Sequence, residues 1–109
     1  MTTIGALRDV VTIQTPGSAQ DEIGEAVPAW TALAVVRASV RDLTGRELIA
    51  AQAVQSMVTT KITIRFRDDV TAAMRVTRGA EVFQIESVLN PSGRRDWLEL
   101  MCAKGGPNA

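Results

Sequence analysis

Apolar and polar residues alternate at period two in several separate stretches of this chain. That spacing predicts strands, because successive side chains of an extended backbone point to opposite faces. The clearest stretch is 58–67, where Ile62, Ile64 and Phe66 fall on one face and Lys61, Thr63, Arg65 and Arg67 on or near the other. Val36, Ala38 and Val40 alternate with Arg37, Ser39 and Arg41 in the same way. Residues 10–14 form a β-branched strand that is expected to end at Thr15-Pro16-Gly17-Ser18, a cluster of turn formers. Residues 15–26 are polar or small and read as a long surface loop with a turn at Gly24, after which 27–30 leads to the next apolar stretch. Further on, 74–77 reads as a short strand and Arg78-Gly79-Ala80-Glu81 as a tight hairpin into 82–89. Asn90-Pro91-Ser92-Gly93 is a turn, and 97–102 is the last strand, with Leu98, Leu100 and Cys102 inward.

The period changes once. Thr44 followed by Glu47 has the spacing of a capping box, in which each side chain satisfies a backbone N–H at the helix start, and the residues after it are good helix formers. A short helix is expected at about 45–55. Its apolar content is mostly alanine apart from Leu48, Ile49 and Val54, so it should lie on the surface with Gln52 and Gln55 exposed. About six short strands with one helix inserted predict a mainly β fold, an antiparallel sheet packed as a sandwich or closed into a small barrel. Closure would remove the open edges that so many strands present.

Length sets this at one domain: 109 residues hold one core, expected over about 8–103, with 104–109 a tail that frays. With 46% hydrophobic and 22% charged residues the chain is expected to fold. Twelve Lys and Arg balance twelve Asp and Glu, so the excess of cations that drives counterion-release binding to nucleic acid is missing. The start lacks a basic segment followed by an apolar one, and no apolar run approaches the ~18 residues of a membrane span. Neither a signal peptide nor a membrane span is expected, and the lone Cys102 suits a reducing compartment.

Chemistry is scarce. Histidine is absent, which removes the usual proton shuttle near neutral pH and the commonest metal ligand. Cys102 has no histidine to activate it, one cysteine makes no thiolate zinc site, and the adjacent Asp68 and Asp69 read as a charged turn. No glycine-rich phosphate loop occurs. No catalytic residue, metal or cofactor is expected. Arg65, Arg67, Arg75, Arg78, Arg94 and Arg95 form either a solvated strand face or a surface that pairs with carboxylates on a neighbouring copy, where the planar guanidinium is useful. Aromatics for stacking on bases are few: Trp30, Trp97, and Phe66 and Phe83, which fall in register with core aliphatics.

An ordered set of short segments carries more than any one of them. In chain order these are Gly5-Ala6-Leu7-Arg8 before Val11-Thr12-Ile13-Gln14, Asp21-Glu22-Ile23-Gly24-Glu25 before Trp30, and Ala38-Ser39-Val40 before Leu43-Thr44-Gly45-Arg46-Glu47. Ala51-Gln52, Val54-Gln55 and Ile62-Thr63-Ile64-Arg65-Phe66-Arg67 follow, then Met74-Arg75-Val76, Phe83-Gln84-Ile85-Glu86-Ser87-Val88, and Leu98-Glu99-Leu100-Met101-Cys102. The chain thereby resembles the phage head-tail joining family, the head-closure or stopper proteins of long-tailed phages and gene transfer agents.

That resemblance implies a small antiparallel β-barrel that assembles as a ring, six copies being favoured over twelve. The ring would dock on the portal or adaptor below the DNA-filled head, hold the DNA in, and receive the tail terminator or tail tube. It implies no enzyme and no membrane, a place in the neck of a virion assembled in the bacterial cytoplasm, and DNA passing without sequence-specific binding. It also implies that 42–57 faces the lumen or a neighbouring ring. Thr44, Arg46, Glu47, Gln52 and Gln55 are therefore candidate gate or ring contacts, and Arg65, Arg67, Asp68, Arg75, Arg94 and Arg95 candidate subunit contacts. The reading from another class is a small barrel that binds nucleic acid or a peptide, and the missing basic excess and exposed aromatics weigh against it.

Overall fold

Each alternating stretch becomes a barrel stave with its aliphatic side turned inward. In the computed structural model, which describes residues 7–20, 23–24 and 26–105, the order is β1 (Asp9–Gln20), β2 (Ala26–Asp42), α1 (Gly45–Val54), β3 (Thr60–Arg65), β4 (Arg75–Arg78), β5 (Glu81–Leu89) and β6 (Trp97–Lys104). Every pairing is antiparallel, and the strands close in the order β1-β2-β3-β6-β5-β4, with β4 returning to β1 through Thr12–Gln14. Of the two architectures open to the alternation, the barrel is the one adopted.

Facing side chains fill it. Val11, Ile13, Ala38, Ile62, Ile64, Val76, Phe83, Ile85, Leu98, Leu100 and Cys102 form one buried cluster, and Val70 and Met74 from the 66–74 connection join it. Six strands enclose too little space for anything but side chains, so the barrel of one subunit is a packed core and not a pore. The β4–β5 hairpin turns as expected: Gly79, at the first position of a two-residue loop, has φ +59°, a conformation that L side chains rarely adopt.

The first two strands depart from expectation. The turn formers 15–18 do not end β1, which runs to Gln20 through the first half of the expected loop, and the segments after that loop, 27–30 and 36–41, belong to β2, one strand of 17 residues. Beyond Gln14 and Ala32 these strands pair only with each other, out to Gln20 opposite Ala26, so they leave the barrel as a two-stranded arm. The molecule is accordingly 51 Å long and only 27 by 25 Å across. The register shifts where the arm departs, Ile13 facing Ala34 and Gln14 facing Ala32, so that Leu33 is a bulge that bends the ribbon. A ribbon with no sheet behind it has no face to bury and so needs no alternation. Pro16 opposite Trp30 is tolerated there because an edge strand can lack one donor.

The helix lies where expected, with no buried residue. Its capping box does not form. Thr44 makes no side-chain cap bond, and the Glu47 carboxylate is taken instead by Arg41, whose Nη1 and Nη2 donate to Oε1 and Oε2 at 2.7 and 2.8 Å. At the other end, Lys104, expected to begin the frayed tail, belongs to β6, and Gly105 N–H donates to Val82 O at 2.8 Å. Residues 106–109 lie outside the described residues.

Candidate functional site

Three surfaces lie outside the core. On the first, α1 stands against the outer wall of β3 and β6, anchored by polar contacts. Besides the Arg41 fork, Lys61 Nζ lies 3.8 Å from Glu47, and Gln52 Nε2 donates to Val58 O at 3.0 Å. The Arg41 hydrogen bond, with its positive charge, holds the Glu47 carboxyl down to about 2, the cost of partial desolvation notwithstanding. Thr44, Arg46, Glu47 and Gln52 are exposed; Gln55, expected to be exposed like Gln52, is half-buried, and its Oε1 is enclosed with no donor among the described residues. Burial of one edge of the last turn against Val58 and Met101 explains the difference. That edge borders a crevice of about 270 Å³ between Ala51, Val54, Val58, Leu89 and Met101. Ile49 and Val54 of α1 are 72% and 85% exposed, and Met57 just after it 67%, which fits a helix that packs weakly.

The second surface gathers four of the six candidate contacts at the end of the barrel where β3 finishes. Arg67 is held bidentately by Asp69 at 3.0 and 2.8 Å, which lowers the Asp69 carboxyl below its ordinary range. Arg95 lies 5.1 Å over the Phe66 ring and 3.6 Å from Asp68, and Arg65 lies 6.0 Å over Trp97. The pairing expected with a neighbour's carboxylates is thus partly met within the chain, by Asp68 and Asp69. Arg37, which the alternation places merely on a polar face, completes the group: with Val36, Arg65, Phe66 and Arg67 it lines a groove of about 400 Å³. Nothing but its register opposite the end of β3 could have singled it out.

Arg75 and Arg94 do not join this group. Arg75 braces the root of the arm, 4.2 Å over the Trp30 ring, with Nε donating to Gln14 Oε1 at 2.6 Å. Arg94 sits in the exposed 90–96 connection, where its backbone N–H donates to Ser92 Oγ at 3.1 Å. The third surface is an ion-pair belt at the opposite end of the barrel. There Arg78 contacts Glu81 at 2.7 Å and Asp9 at 3.4 Å, and Lys104 reaches Glu81 at 3.2 Å.

None of this resembles a reaction centre. Burial pushes the Cys102 thiol up to about 12, so it stays protonated, and it donates to Leu100 O within the core. A hollow of about 500 Å³ is lined by Ser39, Arg41, Lys61, Thr63, Trp97 and Glu99, among others, and its carboxylate is engaged by Lys61 at 3.5 Å. Among the described residues no three His, Cys, Asp or Glu come together as a metal site would require, and no helix is long and apolar enough to cross a membrane.

Comparison with known proteins agrees along nearly the whole chain. The family described as "Phage head completion protein" matches residues 2–105. The head completion protein gp7 of Enterobacteria phage HK97 is 31% identical over 108 residues, covering 93% of this chain and 95% of that one. Among solved structures, protein SF1141 from Shigella flexneri 2a superposes with a TM-score of 0.76 at 31% identity, covering 96% of this chain and 98% of that one. A chain of the virion of a native gene transfer agent particle superposes with a TM-score of 0.61 at 18% identity over 90% and 94%, a likeness of fold.

Proposed function

Because the chain belongs to the phage head completion protein family, we propose that it is a structural, non-enzymatic subunit of a particle's neck. In this reading it forms a closed ring that joins the portal or adaptor of the filled head to the tail terminator or tail tube, retains DNA and lets it pass. Six copies fit better than twelve if the ring takes the symmetry of the tail below it. The observation that carries the reading is where the uncommitted surface lies. The barrel interior is filled, while the arm, the exposed apolar side chains of α1 and the guanidinium groove all lie outside it. A channel for DNA then has to come from several barrels side by side, with those outer features at their seams.

The α1 segment suits a moving part. It contributes no fully buried residue and hangs on Glu47 and Gln52, so it can shift without opening the core. A chain of zero net charge suits a channel along which DNA slides without being held.

Cryo-electron microscopy of intact particles tests this directly. Density for the chain between portal and tail is expected, and a position outside the neck would overturn the reading. Particles lacking the chain should package DNA, lose it and remain tailless. Tight, salt-dependent duplex binding by the isolated ring would favour a nucleic-acid-binding barrel instead.

A further inference from the structure

One row of side chains on the outer wall of the barrel is electrically out of balance. Val10 stands opposite Arg37 across β1 and β2, and Arg65 stands opposite Trp97 across β3 and β6. One step beyond Ala38 and Ile64, the last paired residues of β2 and β3, Arg37 and Arg65 are brought across from each other. Ala38 and Ile64 point into the core, so alternation turns both arginines outward, where they line the same groove. The row therefore runs Val10, Arg37, Arg65, Trp97.

Like charges directly opposite on neighbouring strands repel. The adjoining guanidiniums are matched within the chain, Arg67 by Asp69 and Arg95 by Asp68. Arg37 and Arg65 form no ion pair among the described residues, and Arg65 rests over the Trp97 ring at 6.0 Å. Arg37 is framed by two exposed aliphatics, Val10 at 59% and Val35 at 67%. The first lies across from it, and the second is two residues earlier on the same face of β2.

Whatever covers this wall has to bring both negative charge and apolar surface. Two copies of the wall cannot cover each other, because four guanidiniums would then meet. Nor does the described surface of a second copy offer two free carboxylates together. Those outside the ion pairs, Asp42, Glu86 and Asp96, lie on β2, on β5 and in the connection before β6, and Asp42 and Asp96 accept from Thr60 and Ser92. A nucleic acid would neutralise the arginines but leave Val10 and Val35 bare, and its phosphates would pass the carboxylates of Asp68 and Asp69.

We propose that this wall docks an acidic segment of a different neck protein, two carboxylates on Arg37 and Arg65 and aliphatic side chains on Val10 and Val35. Directly opposite residues of an antiparallel pair have Cβ atoms about 4.5–5.5 Å apart. Carboxylates at i and i+4 of a helix, about 5–6 Å apart, match that spacing, and each guanidinium can hold one in a two-bonded fork. The proposal rests on the reading of the chain as a neck subunit. Among the outer features of the barrel, it assigns this one to the ring above or below and leaves the seams between copies to the others.

DNA-filled heads and free tails, both made without this chain, are the probes, and co-sedimentation with the purified full chain is the measurement. The wild-type chain should bind one of them, and more weakly as sodium chloride is raised. Arg37→Glu with Arg65→Glu should lower the affinity by about tenfold or more and flatten its dependence on salt. Val10→Ser with Val35→Ser should lower it several-fold and leave the salt dependence as it was. All four residues are exposed, so circular dichroism should show each variant folded, and self-association of the isolated chain should be unchanged. Undiminished binding by the arginine variant would overturn the proposal. Loss of self-association in that variant would put a second copy on the wall and overturn it too. Binding of a short DNA duplex that vanishes in the arginine variant, with head and tail binding intact, would assign the wall to phosphate instead. A wild-type chain that binds neither heads nor tails would sink the neck reading and the proposal together.

Discussion

β3 and α1 are near neighbours in sequence and opposites in construction. Four of the six residues of β3 are buried, whereas none of the ten residues of α1 is. The strand is fixed by what it hides in the barrel, the helix by a few polar contacts across its surface. A stable barrel can thus carry a segment anchored by the ion pairs of Glu47 and one glutamine hydrogen bond. Stability and surface are then separable: substitutions in the barrel should change stability, while substitutions on α1 should leave it nearly unchanged.

The largest effect should come from the barrel. Phe83 is among the largest fully buried side chains, at 1% exposure, and Phe83→Ala is expected to cost about 3–5 kcal/mol through lost burial and the cavity left behind. Thermal unfolding should show Tm falling by well over ~10 °C. On α1, Ile49→Ser with Val54→Ser should stay within about ±0.5 kcal/mol, because those side chains are already in water. A large loss of Tm in that variant would mean that α1 is part of the core, and the comparison would break.

Gln55 sits between the two regimes. Its Oε1 is enclosed without a donor among the described residues, which typically costs about 1–3 kcal/mol. Gln55→Met keeps the length of the side chain, removes the stranded oxygen and adds apolar contact with Val58 and Met101 across the crevice. Chemical denaturation should show a gain of about 1 kcal/mol. No gain would mean that the crevice is hydrated and that water satisfies the amide.

How much could be read from the sequence follows the same divide. Wherever a strand has one buried face the alternation marks it, as in β3 and β6, and turn chemistry marks the β4–β5 and β5–β6 connections. The arm escaped because beyond Gln14 and Ala32 its two strands pair with no third: without a barrel wall to impose a period, Thr15-Pro16-Gly17-Ser18 looks like a turn, and only the partner strand makes it a ribbon. The helix start failed for a different reason. Thr44 and Glu47 have capping spacing, but Arg41, at the end of a strand, outbids a backbone N–H for the carboxylate with two charged donors. Of the candidate contacts, Arg65, Arg67, Asp68 and Arg95 come together because one end of a strand and two loops converge there. Arg37 was missed because its place depends on register between β2 and β3.

The smallest effect concerns the Arg41–Glu47 pair, and it sharpens the comparison furthest. Its partners are 46% and 50% exposed, so solvent screens the pair and little global stability should depend on it. Glu47→Gln should leave Tm nearly unchanged while amide exchange across 45–54 speeds up relative to β3. Acid should have the same local effect. The folded state holds the Glu47 carboxyl down to about 2, below its ordinary value, because the ionised form is bound by Arg41. The anchoring is therefore present in full above the ordinary carboxylate range and is lost as pH falls from about 4.5 toward 2. Exchange in α1, corrected for the intrinsic pH dependence, should rise through that window in the wild-type chain and stay flat in Glu47→Gln. If α1 and β3 instead loosen together in acid, the helix is coupled to the barrel and is not an independent element.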